Sequence, residues 1–179
     1  MRVRFAGFGG QGVVLCGFIF GKAAMRDGKN AIHTQSYGSA SRGGLTKSDV
    51  GIADGEIHDL YYDKLDVLVT MSQQSYDKFR ENLLPQGLLF YEADMVEPHG
   101  GEGPRAYGVR ATDIAFKDFG RKIMANMIMM GFANEIAKVV SPESLARTVR
   151  ENVPQGTEEK NVAALNEGAR LGSLELGKT

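Results

Sequence analysis

One cysteine, Cys16, and three histidines, His33, His58 and His99, are all that the 179-residue chain offers a soft metal. An iron–sulfur cluster takes about four thiolates and a structural zinc site several Cys or His, so this chain cannot hold a cluster by itself. The histidines are scattered without metal-ligand spacing and read as ordinary strand or loop residues. Cys16 sits on an apolar stretch with nothing nearby in sequence to lower its pKa, and reads as a small buried hydrophobe. Charge of either sign is not in excess: 21 Lys+Arg face 22 Asp+Glu, a formal net charge of -1, which offers no sequence-wide attraction to nucleic acid or anionic lipid. The most apolar stretch, residues 123–140, is interrupted by Asn126, Asn134, Glu135 and Lys138, which a membrane-spanning helix rarely carries. No signal segment precedes the first apolar run, and a cytoplasmic location is expected.

What is present is an alternation of strand and helix patterns. With 42% hydrophobic residues, the chain is expected to form a single domain over residues 1–179, an α/β core at 1–110 followed by a helical region at 111–179. Residues 2–6 read as a strand, 10–25 as a helix apolar around most of its circumference, and 30–36 as a second strand, with Gly28 ending the helix. The small residues of 36–44 form a loop. Alternation of Val50 and Ile52 with polar neighbours, closed by Asp54-Gly55, predicts a hairpin. "DVLVTM" (66–71) is a strand buried on both faces, 74–84 a helix, Pro85-Gln86-Gly87 a turn, and "GLLFYE" and "RAYGVR" two further strands. From Thr112 onward only helices are expected. The fold class is α/β: a Rossmann-like, mostly parallel sheet with an antiparallel hairpin and a helical C-terminal third.

The first strand runs straight into "GFGGQG", residues 7–12, the place where a dinucleotide-binding enzyme keeps its phosphate loop. Gly7 permits a tight turn, Gly9 lets backbone approach a pyrophosphate, and Gly12 lets helix and strand pack closely. The same fingerprint wants an acidic residue about 20 residues on to hold the ribose. The end of the second strand offers Ile32, His33, Thr34, Gln35 and Ser36 instead, and no carboxylate before Asp49. NAD and flavin thus lose their second anchor, while a helix N-terminus remains a seat for another phosphate.

Three motifs in order, "RFAGFGGQGVVLCGFIFGKAA", "HTQSYGSASRGGLTKSDVGIAD" and "DVLVTMSQQSYDKF", resemble the gamma subunit of the 2-oxoacid:ferredoxin oxidoreductases. The resemblance is close over residues 3–95 and continues more loosely through "ANMIMMGFANEIAKVV" and "NVAALNEGARLG". The "AGFGGQG" form resembles the 2-oxoglutarate and branched-chain members more than the pyruvate members, which tend to a basic residue in that loop. One departure lies at Ser39-Ala40-Ser41, where the family often has Pro-Glu-Ala before Arg-Gly-Gly.

The resemblance implies a non-redox subunit of a complex that decarboxylates a 2-oxoacid on thiamine diphosphate, reduces ferredoxin through iron–sulfur clusters and acylates coenzyme A. 2-Oxoglutarate to succinyl-CoA is the expected reaction. A pyruvate, branched-chain or indolepyruvate enzyme is the alternative within the family, and a stand-alone nucleotide-binding oxidoreductase the alternative outside it. Thiamine diphosphate, Mg and the clusters are expected on alpha, beta and delta-type partner subunits, with no cofactor held by this chain alone and no nucleic acid or membrane partner. "ADGEI" with Asn82 downstream only partly resembles a thiamine motif, and its Asp54-Gly55 reads as the hairpin turn. No catalytic residue is assigned. A share in the coenzyme A site is expected from Gly9, Gly10, Gln11 and Gly12, from Gln35 and Ser36 at the carboxyl edge of the second strand, and from Arg42 and Gly43 in the following loop. For Gly9, Gly10, Gln11 and Gly12 close helix–strand packing is the reading preferred over phosphate binding, and for Arg42 a solvated loop arginine stands as an equal reading. The methionine-rich helix at 123–132 is apolar almost all round, so it must bury a second side, under the chain's own last helices or, as the resemblance favours, under a partner.

Overall fold

A computed structural model of the chain describes residues 1–37, 44–99 and 105–178. Its sheet has six strands, β1 (Arg2–Phe8), β2 (Asn30–Tyr37), β3 (Leu45–Ala53), β4 (Leu65–Thr70), β5 (Leu83–Glu92) and β6 (Ala106–Val109). Their spatial order is β2-β3-β1-β4-β5-β6. β1, β4, β5 and β6 are mutually parallel, and β3 is antiparallel to both of its neighbours, β1 and β2. β2 therefore points the same way as β1, with β3 the reversed strand between them. The helices are α1 (Val13–Arg26), α2 (Gln73–Phe79), α3 (Ala111–Phe119), α4 (Ala125–Ala137), α5 (Pro142–Asn152) and α6 (Glu158–Leu176). The expected class, a mostly parallel α/β sheet with an antiparallel hairpin and a helical C-terminal third, is the one observed.

Alternation along the strands divides the core in two. Val3, Phe5, Val50, Val67, Val69 and Phe90 point to the face covered by α1 and the C-terminal helices, where they meet Ile19, Phe20, Met127 and Met130. Ala6, Leu68 and Leu89 point to the other face, covered by Tyr62, Tyr76, Phe79 and Val96. Arg4 shares that second face, fully buried. Its guanidinium makes paired hydrogen bonds to Asp49, directly opposite on β3, at 2.5 and 2.8 Å, donates to the Tyr62 carbonyl at 3.0 Å, and lies 4.7 Å over the Phe79 ring.

Three expectations need correcting. Asp54-Gly55 is not a hairpin turn: the hairpin is β2–β3, in register from Asn30↔Ala53 to Tyr37↔Thr46, and after Ala53 the chain runs on to β4, which pairs with β1. This connection lays Tyr62 across the sheet, close enough that a Cβ on Gly51 would strike its ring. Pro85-Gln86-Gly87 is not a turn between elements but a bulge within β5. Pairing with β4 jumps there from Leu65↔Leu83 to Val67↔Leu88, a place where a strand tolerates a residue with no N–H. α2 accordingly stops at Phe79, followed by one 3₁₀ turn over Arg80–Asn82.

The third correction concerns the methionine-rich helix. Every residue of α4 from Ala125 through Asn134 is buried within this chain, chiefly under α6, so its apolar circumference is satisfied without a partner. Glycines make that possible. A Cβ on Gly131 would run into the Leu165 carbonyl, and one on Gly168 into the Ile128 carbonyl, so the two helices touch backbone to backbone. Asn134 closes the end of α4, its side chain donating to the Val140 carbonyl at 3.0 Å and accepting from the Val140 N–H at 3.1 Å.

Candidate functional site

The loop from Gly9 to Gly12 joins the carboxyl end of β1 to α1 at the centre of the sheet. From β1 the chain leaves through α1 toward β2, and from β4 through α2 toward β5, on the opposite side. The gap between β1 and β4 is thus the topological switch point, the position at which open α/β sheets take ligands. Gly12 caps α1 in a left-handed conformation (φ 77°) with no side-chain cap, and no acidic residue stands in the first turn. Amides of that turn have no acceptor within the helix, and no carboxylate there offsets the positive end of its dipole.

Gln11 is turned inward. Its Oε1 accepts the Phe8 N–H at 2.6 Å and its Nε2 donates to the Met71 carbonyl at 2.8 Å, lacing the loop to the end of β4. The Gly9 N–H donates to the Gly44 carbonyl at 3.0 Å and fastens the other side to the start of β3. The glycines differ in why they are glycine. A Cβ on Gly7 would collide with Gln11, and one on Gly12 with the Asn126 amide, so both are small because the fold is tight. Gly10 needs its positive φ of 96°, with open space where a Cβ would stand. Gly9 has neither reason among the described residues: its φ is not in the left-handed region, and a Cβ would meet none of them nearer than Thr46 Oγ1 at 3.8 Å.

Gly10 forms a ridge between two depressions. On one side a cleft of about 290 Å³ is lined by Gly10, Gln11, Met71, Met95, Thr112 and Lys122, with Ile123 and Ala125 behind. On the other, a shallower groove of about 480 Å³ runs along Phe8, Val14, Phe18 and Tyr37, and two of its three aromatic rings, Phe18 and Tyr37, are exposed. Gln35 and Ser36 stand exposed on the edge strand β2, opposite Ser48 and Lys47, and neither lines the groove; the β2 residue that does is Tyr37. Arg42 and Gly43 lie outside the described residues.

Sequence reasoning did not single out Lys122, Thr112 or Met95, which reach the loop from far along the chain. Nor did it find Glu92, whose carboxylate is fully buried at the end of β5. Glu92 accepts the Asp94 N–H at 3.1 Å and the Thr112 hydroxyl at 2.9 Å, while Asp94 accepts the Asp113 N–H at 2.8 Å. These two carboxylates cap α3, whose own cap position, Arg110, gives no side-chain bond. Burial pushes the Glu92 carboxyl above its ordinary value, against the opposing pull of its hydrogen bonds. A signal was available: "YEAD" immediately after an apolar strand places two acids at a carboxyl edge.

Asp49, the first carboxylate after the second strand, is 1% exposed and committed to Arg4. It cannot serve a ribose. Cys16 is buried under the same helices, and desolvation pushes its thiol up to about 12, so it carries no thiolate. Among the described residues no cluster of His, Cys, Asp or Glu has the makings of a metal site, and no helix is long and apolar enough to cross a membrane.

Comparison with known proteins places this arrangement. The pyruvate ferredoxin/flavodoxin oxidoreductase family model matches residues 2–171. The chain is 39% identical over 172 residues to 2-oxoglutarate synthase subunit KorC of Methanocaldococcus jannaschii, a match covering 93% of this chain and 91% of that one. The gamma subunit of a keto/oxoacid ferredoxin oxidoreductase from Geobacter sulfurreducens superposes with a TM-score of 0.86 at 33% identity, over 97% of this chain and 98% of that one. A 2-oxoglutarate:ferredoxin oxidoreductase from Magnetococcus marinus, solved with 2-oxoglutarate, coenzyme A and succinyl-CoA bound, has a TM-score of 0.87. At 20% identity that likeness is one of fold; it covers 97% of this chain and 31% of the longer one.

Proposed function

Because the chain belongs to the pyruvate ferredoxin/flavodoxin oxidoreductase family, we propose that it completes the coenzyme A side of a 2-oxoglutarate:ferredoxin oxidoreductase. It is a gamma-type subunit of a 2-oxoacid:ferredoxin oxidoreductase. In the proposed reaction 2-oxoglutarate loses carbon dioxide, two electrons pass to ferredoxin, and the succinyl group is transferred to the coenzyme A thiol. Relatives named for 2-oxoglutarate synthase support that choice of acid. Alpha, beta and delta-type subunits in the cytoplasm are its proposed partners and carry thiamine diphosphate, Mg and the clusters, since one buried cysteine cannot ligate a cluster. Alone, the chain is proposed not to be catalytic.

The observation that carries the reading is Gly9. Packing explains Gly7 and Gly12 and conformation explains Gly10, but among the described residues nothing requires Gly9 to lack a side chain. A backbone kept bare at a switch point, beside an uncapped helix, suits the approach of a phosphate. We assign the phosphate contact to the amides of Gly10 and from Gly12 onward, with Gly9, whose own N–H is given to Gly44, kept bare for the phosphate's approach. Gln11 then acts as the brace that shapes the loop, and Gln35, Ser36, Arg42 and Gly43 remain proposed contributors to the coenzyme A site.

Gly9→Glu tests this without straining the backbone, because it adds a carboxylate where a Cβ has room. In the assembled oxidoreductase the KM for coenzyme A is expected to rise at least about tenfold, equivalent to about 1.4 kcal/mol. An unchanged KM would return the loop to packing alone, and full coenzyme A-dependent activity of a complex lacking this chain would refute the subunit's role.

A further inference from the structure

We propose that Lys122, which no sequence motif marks, is the cation that holds a phosphate of coenzyme A in the cleft beside Gly10; the inference rests on the coenzyme A reading above and names the charged group that reading lacks. Lys122 lines the cleft together with Gly10, and the lining includes no carboxylate. Its ammonium is in no ion pair among the described residues, and its nearest ring is Phe116, 5.9 Å away. Three acids adjoin the lining and each is already engaged: Glu92 by the Thr112 hydroxyl and the Asp94 N–H, Asp94 by Arg110 and the Asp113 N–H, and Asp113 by Lys117. Among the described residues the cleft therefore presents a cation and a bare backbone, and no carboxylate lines it.

Its remaining walls are apolar. Met71, Met95 and Ile123 line the interior, and the thioethers adapt to an irregular aliphatic shape. A free inorganic phosphate would leave that surface unused, whereas a phosphate ester with an aliphatic arm uses both parts. Coenzyme A has this form, its pyrophosphate joined to a pantetheine chain. The Lys122 ammonium would meet the pyrophosphate at the ridge, and the methionines would line the first part of the arm.

The test is made in the assembled oxidoreductase with Lys122→Gln, Lys122→Arg and Gly9→Glu. For Lys122→Gln, the KM for coenzyme A is expected to rise about tenfold or more, and that for pantetheine, which has no phosphate, to move less than about twofold. Lys122→Arg keeps the charge and is expected to restore most of the loss. The rise of KM with ionic strength should be shallower in Lys122→Gln than in the wild type. A coenzyme A KM unmoved by Lys122→Gln while Gly9→Glu raises it would overturn the assignment of Lys122 and leave the glycine loop standing. If neither variant moves it, the coenzyme A reading falls with it. Should Lys122→Gln fail to assemble, acetylation footprinting of the wild-type complex decides: coenzyme A is expected to protect Lys122, and equal labelling with and without it refutes the contact.

Discussion

Replacing Asp49 by alanine should leave the Arg4 guanidinium buried without its counter-charge. Arg4 is 2% exposed and Asp49 1%, so neither can be rehydrated without opening the sheet. After the substitution the guanidinium keeps the Tyr62 carbonyl at 3.0 Å and the Phe79 ring at 4.7 Å, both of which solvate a cation weakly. Lys47, the other partner of Asp49 at 2.9 Å, is about a quarter exposed and can turn to water. Removing one member of a buried pair costs about 3–5 kcal/mol. Taking an unfolding entropy of about 2.1 cal/mol/K per residue over the chain, that is a fall in Tm of about 8–13 °C. Thermal and urea unfolding of the wild type, Asp49→Ala, and the double replacement Arg4→Met with Asp49→Leu form the assay. The double variant removes both charges and should lie within about 2 kcal/mol of the wild type, on either side. A loss below about 1 kcal/mol for Asp49→Ala would refute the reasoning, because it would mean that Arg4 is solvated in the native state and that Asp49 is free for another role.

Two further outcomes follow from the packing and the charges. Gly131→Ala would drive a methyl into the Leu165 carbonyl and prise α4 from α6, with an expected loss of about 1–3 kcal/mol in urea unfolding, and a stabilised Gly131→Ala would show that the helices are not in backbone contact. Burial pushes the Asp27 carboxyl up, but hydrogen bonds from Ser144 and Ser141 and the charge of Lys29 outweigh it and hold it below its ordinary value of 3.8. Its contribution, the tether of α5 to the end of α1 through the Ser141 N–H at 2.6 Å and hydroxyl at 2.7 Å, is therefore whole above that value and lost as pH falls through the lower folded value. Asp27→Asn should cost roughly 0.5–1.5 kcal/mol at pH 7 and flatten the decline in stability below pH 4, and an unaltered acid limb would refute the linkage.

The parts of the fold legible in the sequence are those governed by neighbours along the chain. Alternation and apolar runs marked β1, β4 and β6 because a strand's faces follow directly from its period, and the glycine loop was visible because a tight turn between strand and helix selects glycine locally. The burial of Cys16 and the missing ribose acid likewise follow from which residues exist and where. Contacts set by distant segments were hidden. Asp54-Gly55 has the local form of a hairpin turn, yet the next strand finds a better neighbour in β1, and no short-range rule ranks those two pairings. Pro85-Gln86-Gly87 has the form of a break, yet β5 pairs on both sides of it and absorbs it as a bulge.

The same division runs through the site. A helix apolar on all sides says that a second surface must cover it, and the sequence by itself determined that much for residues 123–132. Only the tertiary structure decided that the cover is α6, because the contact depends on glycines 131, 168 and 172 meeting opposite carbonyls and side chains, a coincidence of two helices remote in sequence. Composition and spacing placed four small or amide residues at 9–12 without separating their roles. The fold assigned Gly12 to packing, Gln11 to bracing and Gly9 to neither, because each depends on Asn126, Met71 or Thr46 arriving from elsewhere. Lys122 joined them for the same reason: hydrophobic burial of the helices that follow it, and no motif around it, brought it into the lining of the cleft.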